Sequence, residues 1–102
     1  MPMDVQQYIE DQKEWSIRTF GVGERTAGIC KHIEKEVSEI RKKPRDVMEW
    51  IDVVILALDG AWRAGHSPRE IEAALYQKQR RNFSRNWSEL PAEDQPSEHI
   101  KE

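Results

Sequence analysis

The chain has 102 residues, of which 37% are hydrophobic and 34% are charged, so its length fits one small domain. Its 16 basic and 19 acidic residues give a formal net charge of −3, which argues against a general binder of nucleic acids or anionic membranes. No apolar run approaches the ~20 residues that cross a bilayer. The N-terminus lacks a signal-peptide pattern, and a single cysteine, Cys30, forms no internal disulfide. We therefore expect a cytoplasmic protein.

Hydrophobic periodicity predicts an all-α chain, because no segment alternates polar and apolar residues for long enough to indicate a strand. The first helix is predicted from about Asp4 to Thr19 and ends at a break with two glycines, residues 20–23. Its inner stripe comprises Val5, Tyr8, Ile9, Gln12 and Ser16. The second helix is predicted from about Glu24 to Arg41. Its apolar seam comprises Cys30, Ile33, Val37 and Ile40.

The third helix, from about Arg45 to Ala64, is apolar on nearly every side. Such a helix must be covered, and three other short helices barely suffice, so we expect part of it to lie in a subunit interface. Ser67, Pro68 and Glu70 form a capping-box pattern that starts a fourth helix. The sequence thus predicts a domain over residues 1–87 and a polar C-terminal tail over 88–102.

Two pairs of carboxylates lie where solvated charges are not expected. Glu36 and Glu39 border the apolar seam of the second helix, and Glu49 and Asp52 lie on the apolar third helix. Four carboxylates on neighbouring helices would converge, and their repulsion requires a compensating cation. All-oxygen ligation suits Mg²⁺, with Mn²⁺ as a substitute. Alternatively, each pair is neutralised by salt bridges to cations near the C-terminus or to arginines. The candidate arginines are Arg25, Arg45 and Arg63.

Neighbouring residues extend both acidic faces. His32 precedes Glu36 by one helical turn and is expected to be a hydrogen-bonding neighbour of the acids instead of a ligand. Asp59 and Arg63 share the face of the third helix that carries its acidic pair. A di-iron bundle is excluded, because it needs Glu-x-x-His motifs on two helices and the chain has none.

The two acidic pairs resemble the E-x-x-E…E-x-x-D signature of the all-α, MazG-like nucleoside triphosphate pyrophosphohydrolases. Lys35 stands where the fuller pattern has a first glutamate, which leaves the four ligand positions intact. Blocks between Trp15 and Trp87 are similar to the MazZ-type dATP/dGTP diphosphohydrolases of phages. The resemblance implies a four-helix bundle that forms a homodimer or homotetramer. It also implies cleavage of purine deoxynucleoside triphosphates to monophosphate and pyrophosphate, in the host cytoplasm if a phage encodes the chain.

On this hypothesis Glu36, Glu39, Glu49 and Asp52 hold two or more Mg²⁺ ions that favour attack of water on the α-phosphorus. Glu36 or Glu39 is predicted to accept the proton of that water. Trp15 beside the glycine break is the predicted stacking surface for a purine. The full set assigned to substrate binding is Trp15, Ser16, Thr19, Arg25, His32, Asp59, Lys78, Asn82 and Arg85.

Two non-enzymatic hypotheses stay open at this point. Residues 79–87 interleave basic and aromatic side chains, as nucleic-acid-binding segments do, although the net charge disfavours this. Alternatively, the acids are structural and the third helix is only an interaction surface. Turnover that requires a divalent metal indicates the enzyme, whereas salt-dependent oligonucleotide binding indicates the binding module.

Overall fold

Four α-helices make up most of the described chain, which confirms the all-α prediction. The computed structural model describes residues 4–87, 96 and 99–100. The helices begin and end close to the predicted positions. They are α1 (Val5–Phe20), α2 (Thr26–Lys42), α3 (Val47–Arg63) and α4 (Pro68–Ser84).

Side-chain caps explain where three of these helices begin. An Asp4 carboxylate oxygen accepts a hydrogen bond from the backbone N–H of Gln6 at 2.9 Å, and Asp46 caps α3 in the same way. At α4 the Ser67 hydroxyl accepts from the backbone N–H of Glu70 at 3.1 Å, and the Glu70 carboxylate accepts from the backbone N–H of Ser67 at 3.1 Å. The predicted capping box is therefore confirmed.

The break between α1 and α2 depends on glycine conformation. Gly21 and Gly23 have φ angles of 89° and 95°, in a region that residues with a Cβ rarely adopt. This loop is followed by Arg25, the N-cap residue of α2, which makes no side-chain capping hydrogen bond. The predicted break at residues 20–23 is thus present between α1 and α2.

The chain divides into two compact units, Met1–Glu72 and Ala73–Glu102. In the second unit Asn86–Trp87 pairs antiparallel with His99–Ile100, with Asn86 opposite Ile100. Two residues are too few for an alternating pattern, so the sequence could not reveal this pairing. Most of the predicted tail, residues 88–102, lies outside the described residues. The site described below belongs entirely to the first unit.

The buried apolar core of the described residues takes one side chain from each of the first three helices: Ile9, Ile29 and Trp62. Gln12 and Ser16 are buried beside Ile9 on α1, as the inner stripe predicted. On α2 the seam prediction was wrong at Cys30, which is exposed, because the preceding residue, Ile29, points inward instead. The other seam residues, Ile33, Val37 and Ile40, are partly buried, so the predicted seam differs from the packed face only at its first position.

The first half of α3 is not covered by the described residues. Its exposed apolar side chains are Val47, Met48, Trp50, Ile51 and Val54, of which Met48 is 66% exposed. The Trp50 indole N–H donates to the carbonyl of Pro44 at 2.9 Å, which leaves the ring facing outward. That part of α3 lies in a subunit interface therefore stays a prediction, and this exposed apolar surface is its basis. Among the described residues no helix is long and apolar enough to cross a membrane.

Candidate functional site

A cavity of about 250 Å³ lies among the first three helices. The helix α1 contributes Gln12, Trp15, Ser16 and Phe20 to its wall. The second helix and its N-cap contribute Arg25, Gly28, Ile29, His32 and Glu36. The wall from α3 consists of Asp52, Ile55, Leu56 and Asp59. Since each set recurs at intervals of three or four residues, the cavity follows one face of each helix.

Carboxylates gather where Glu36 and Asp52 line the cavity. The cluster takes one carboxylate oxygen from each of Glu36, Glu49 and Asp52. These three oxygens lie within 4.8 Å of one another, close enough to ligate one cation. Glu36 and Glu49 are partly buried, whereas Asp52 is exposed. The structure thus brings together three of the four predicted metal ligands, two of them from the apolar helix α3.

The charge in this carboxylate cluster is poorly compensated by the protein. Partial burial raises the pKa of Glu49 above its usual range, and the negative charges of Asp46, Asp52 and Glu39 raise it further, against a smaller opposing effect of Lys43. In the part of the chain that the structure describes, no lysine or arginine forms an ion pair with Glu36, Glu49 or Asp52. Three close carboxylates without a lysine or arginine partner among the described residues fit a divalent cation.

His32 and Glu39 lie beside the carboxylate cluster. The His32 Nε2 atom is 3.2 Å from a carboxylate oxygen of Glu36, the neighbouring position that the sequence predicted. Glu39 is not one of the three residues whose oxygens converge, and its carboxylate lies 3.6 Å from the Lys42 ammonium. Glu39 is nevertheless near enough to raise the pKa of Glu49, so its role as a ligand stays a prediction.

An aromatic wall, formed by Trp15, Phe20 and Arg25, lines another part of the cavity. The Trp15 and Phe20 ring centroids are 5.5 Å apart at an interplanar angle of 87°, an edge-to-face contact. The Arg25 guanidinium lies 5.1 Å from the centroid of the Phe20 ring. Trp15 and Phe20 are each 51% exposed as residues, so part of their surface is open to a planar ligand.

Asp59, the other cavity-lining acid of α3, has an environment opposite to that of the cluster. Its carboxylate accepts from the Arg63 Nε–H at 3.3 Å and from the Ser16 hydroxyl at 2.9 Å. The Arg63 side chain is only 1% exposed. The charge of Asp59 is therefore neutralised inside the protein, and the hydrogen of the Ser16 hydroxyl is already donated to it.

The predicted substrate-binding residues divide into two groups. Five of them line the cavity: Trp15, Ser16, Arg25, His32 and Asp59. Thr19 is exposed and is not part of the cavity wall. Lys78 and Asn82 lie on α4 and Arg85 follows its end, in the second unit, so their roles stay predictions.

Gln12 and Gly28 are cavity residues that the predicted site omitted. Gln12 belonged to the predicted inner stripe, and its amide N–H donates to the Ile55 carbonyl at 2.9 Å. Its buried Oε1 atom has no hydrogen-bond partner among the described residues. Gly28 is one turn from both Arg25 and His32, so helical spacing from those two residues was the signal that could have identified it.

The described residues thus form an all-α fold whose cavity combines a carboxylate cluster with an open aromatic wall. Comparison with known proteins identifies the family. A family model described as dATP/dGTP pyrophosphohydrolase matches residues 8–102. The chain belongs to the dATP/dGTP pyrophosphohydrolase family.

Two similar proteins come from phages. The structure of a cyanophage S-2L MazG-like pyrophosphohydrolase, bound to dGDP and three catalytic Mn²⁺ ions per active site, matches with a TM-score of 0.77. The match has 27% sequence identity and covers 98% of this chain and 100% of that one. The Eaa protein of Salmonella phage P22 is 40% identical over 93 residues, 90% of this chain. The chain spans only 28% of the length of that curated relative.

Proposed function

We propose that the protein hydrolyses dATP and dGTP to the deoxynucleoside monophosphate and pyrophosphate, with Mg²⁺ or Mn²⁺ as cofactor. The observation that carries the proposal is the carboxylate cluster of Glu36, Glu49 and Asp52, two of whose members line a cavity that also has an open aromatic wall. A nucleoside triphosphate needs both features, because its phosphates require cations and its base requires a stacking surface. Membership of the family supports the choice of purine deoxynucleotides.

The donor set fits hard divalent cations, because it consists of carboxylate oxygens whose mutual repulsion is otherwise uncompensated. Glu36, Glu49 and Asp52 would hold the cations, with Glu39 as a fourth ligand. When bound, the cations supply neutralisation of the triphosphate and Lewis-acid polarisation of its α-phosphoryl group. Two or more ions per site are proposed, and the cyanophage relative binds three Mn²⁺ ions.

The chain's own side chains supply proton transfer and orientation. Glu36 or Glu39 is proposed to accept the proton of the attacking water, since Glu36 belongs to the carboxylate cluster and Glu39 lies one turn further along α2. His32, at 3.2 Å from Glu36, restricts the rotation of that carboxylate. Lys78, Asn82 and Arg85 are proposed to stabilise the departing pyrophosphate, as their spacing of four and three residues along the sequence suggests.

The aromatic wall is proposed to select for large bases. A purine presents more stacking area than a pyrimidine, and both Trp15 and Phe20 have half of their surface free. Arg25 adds a planar cation that contacts the same Phe20 ring. These features support a preference for purines, and the family assignment supports dATP and dGTP in particular.

Isotope labelling tests the bond that is broken. In ¹⁸O-labelled water with Mg²⁺, dGTP should give labelled dGMP and unlabelled pyrophosphate, because water attacks the α-phosphorus. Label in orthophosphate, or a diphosphate product, would contradict the proposal. Wild-type hydrolysis without any divalent cation would contradict the role of the carboxylate cluster. Salt-dependent binding of oligonucleotides without turnover would support the nucleic-acid hypothesis instead.

Assembly is the second part of the proposal. The exposed apolar side chains at the start of α3, together with a small core in the described residues, favour coverage of this surface by a second copy in a homodimer or homotetramer. Sedimentation should show a species of at least twice the 12.0 kDa chain mass. Replacement of Val54 by lysine should shift the protein towards monomer, whereas the same change at Val22, exposed in the glycine loop, should not. A wild-type monomer at micromolar concentration would contradict this assembly.

A further inference from the structure

Arg63 has an acceptor for every hydrogen-bond donor that its guanidinium carries. A guanidinium has five N–H groups. The Nε–H donates to the Asp59 carboxylate, and Nη1 donates to the carbonyls of Gly21 and Gly23, both at 2.9 Å. The Nη2 atom donates to the Ser16 hydroxyl at 2.9 Å and to the Ser16 carbonyl at 3.4 Å. A saturated, almost fully buried arginine has no donor left for a ligand, so its role must be internal.

These bonds fasten the loop between α1 and α2 to the end of α3. Within the described residues, the Gly21 N–H is bonded back to Ile17 and the Arg25 carbonyl accepts from Ile29, so each end of the loop is tied to its own helix. Between these ends, the bonds to Gly21 and Gly23 come from Arg63. Because both glycines have wide conformational freedom, the loop is held mainly by this one side chain.

The same loop carries the aromatic wall of the cavity. Phe20 immediately precedes Gly21, and Arg25 follows the loop. Both side chains line the cavity and contact each other, and Phe20 also contacts Trp15. A displacement of the loop backbone would therefore separate Phe20 and Arg25 from the surface that Trp15 completes.

We infer that Arg63 is a positioning residue, which holds the glycine loop so that Phe20 and Arg25 present a preformed surface to the nucleotide base. The inference rests on the proposed function. Arg63 follows Asp52 by eleven residues along α3, about 16 Å at 1.5 Å per residue. Its loss should therefore impair binding of the base much more than the chemical step at the carboxylate cluster.

Lysine is the informative replacement, because it keeps the charge that neutralises Asp59. It has three donors on a single nitrogen and cannot reach two loop carbonyls, Ser16 and Asp59 together. For Arg63→Lys we expect KM for dGTP to rise about tenfold, equivalent to about 1.4 kcal/mol, with kcat within about threefold of wild type. Hydrogen–deuterium exchange of the peptide covering residues 20–26 should become faster. The matched control is Arg18→Lys, which replaces an exposed arginine of α1. It should change neither the KM for dGTP nor the exchange rate of the loop peptide.

A second pair of variants keeps Arg63 and disturbs the loop directly. Gly23→Ala forces a Cβ onto a residue with φ of 95°, although no atom lies within 4 Å of the added carbon. Gly65→Ala imposes a similar strain at φ of 106°, also in open space, but outside the cavity wall. Gly23→Ala should raise KM as Arg63→Lys does, whereas Gly65→Ala should lower the melting temperature without raising KM.

The outcomes separate the inference from the function on which it rests. A folded Arg63→Lys variant with wild-type KM and unchanged loop exchange would overturn the inference, as would an equal rise in KM for Gly65→Ala and Gly23→Ala. A fall in kcat at constant KM would also overturn it. If Arg63→Lys does not fold, the two glycine variants decide. If the wild-type protein hydrolyses no nucleotide, the proposed function fails, and faster loop exchange in Arg63→Lys alone still establishes that Arg63 holds the loop.

Discussion

The helix α3 carries cavity acids in two contrasting environments. At one position Asp52 joins Glu49 and Glu36 in a cluster where negative charges accumulate and the pKa of Glu49 is raised. Two turns further on, Asp59 lies against Arg63, and its charge is matched within the protein. The same residue type on the same face of one helix thus lacks a cationic side-chain partner among the described residues at one point and has a buried one at the other.

The difference shows how a carboxylate should be interpreted in a small helical protein. Burial alone does not distinguish the two environments, because Glu49 and Asp59 are both at least partly buried. The distinguishing feature is the partner: Asp59 has a buried arginine and a hydroxyl donor, whereas the cluster has neither lysine nor arginine as an ion-pair partner in the described residues. Uncompensated charge indicates a candidate cation site, and compensated charge indicates a fixed contact.

The largest expected effect is on catalysis through the carboxylate cluster. Replacement of Glu36 by glutamine or of Asp52 by asparagine should lower kcat/KM for dGTP by at least about 10²–10³-fold, because ligation requires the charged oxygen. Steady-state kinetics at saturating Mg²⁺ measure this, and circular dichroism should show unchanged helix content. Glu34→Gln, an exposed acid on α2 outside the cluster, is the control and should keep wild-type activity. Full activity in both cluster variants would show that the cluster is not the metal site.

The next effect is on stability and concerns Asp59. Asp59→Asn removes the counter-charge of a buried arginine, and the free energy of unfolding should fall by about 3 kcal/mol. Urea denaturation monitored by circular dichroism measures this change. In the absence of divalent cations, Glu36→Gln should cost much less stability, since it relieves repulsion among the carboxylates and keeps a side-chain oxygen that can accept a hydrogen bond from His32. If both variants lost the same stability, the contrast between the two environments would be wrong.

Much of this organisation follows from local sequence signals. The four helices, the glycine break and the capping box of Ser67 with Glu70 each depend on residues within a few positions of one another, so periodicity and cap chemistry predict them. The acidic pair of α3 could also be recognised, because charged residues on an apolar helix contradict its pattern, and the pair of α2 borders an apolar seam. The resemblance to a known family then supplied the chemistry that spacing alone left open.

Other features depend on distant residues and therefore escaped prediction. The hydrogen bond from Arg63 to the Gly23 carbonyl joins residues 40 positions apart, and no periodic pattern encodes it. The sequence suggests Arg63 only as a salt-bridge partner for the acidic pairs, whereas it pairs with Asp59 and donates to the carbonyls of Gly21 and Gly23. On α2, the packed side chain is Ile29 and not Cys30, because the Ile29 side chain lies against Gly60 of α3, a neighbour that is distant in the sequence.

The smallest expected effect concerns a third kind of carboxylate, Glu70, which caps α4 at the surface. Hydrogen bonds from Ser67 and then from His66 lower its pKa below the usual 4.5, the opposite direction to Glu49. A lowered pKa contributes stability that is fully present above the ordinary value of the group and is lost as the pH falls through the folded-state value. Wild type should therefore be slightly more stable than Glu70→Gln at pH 7, and the difference should shrink as the pH falls below about 4.5.

Thermal melts of both proteins from pH 7 to pH 3 measure this difference in stability, with Glu72→Gln as the neighbouring comparison. A difference that stayed constant over that range would mean that the charge of Glu70 contributes nothing to the cap.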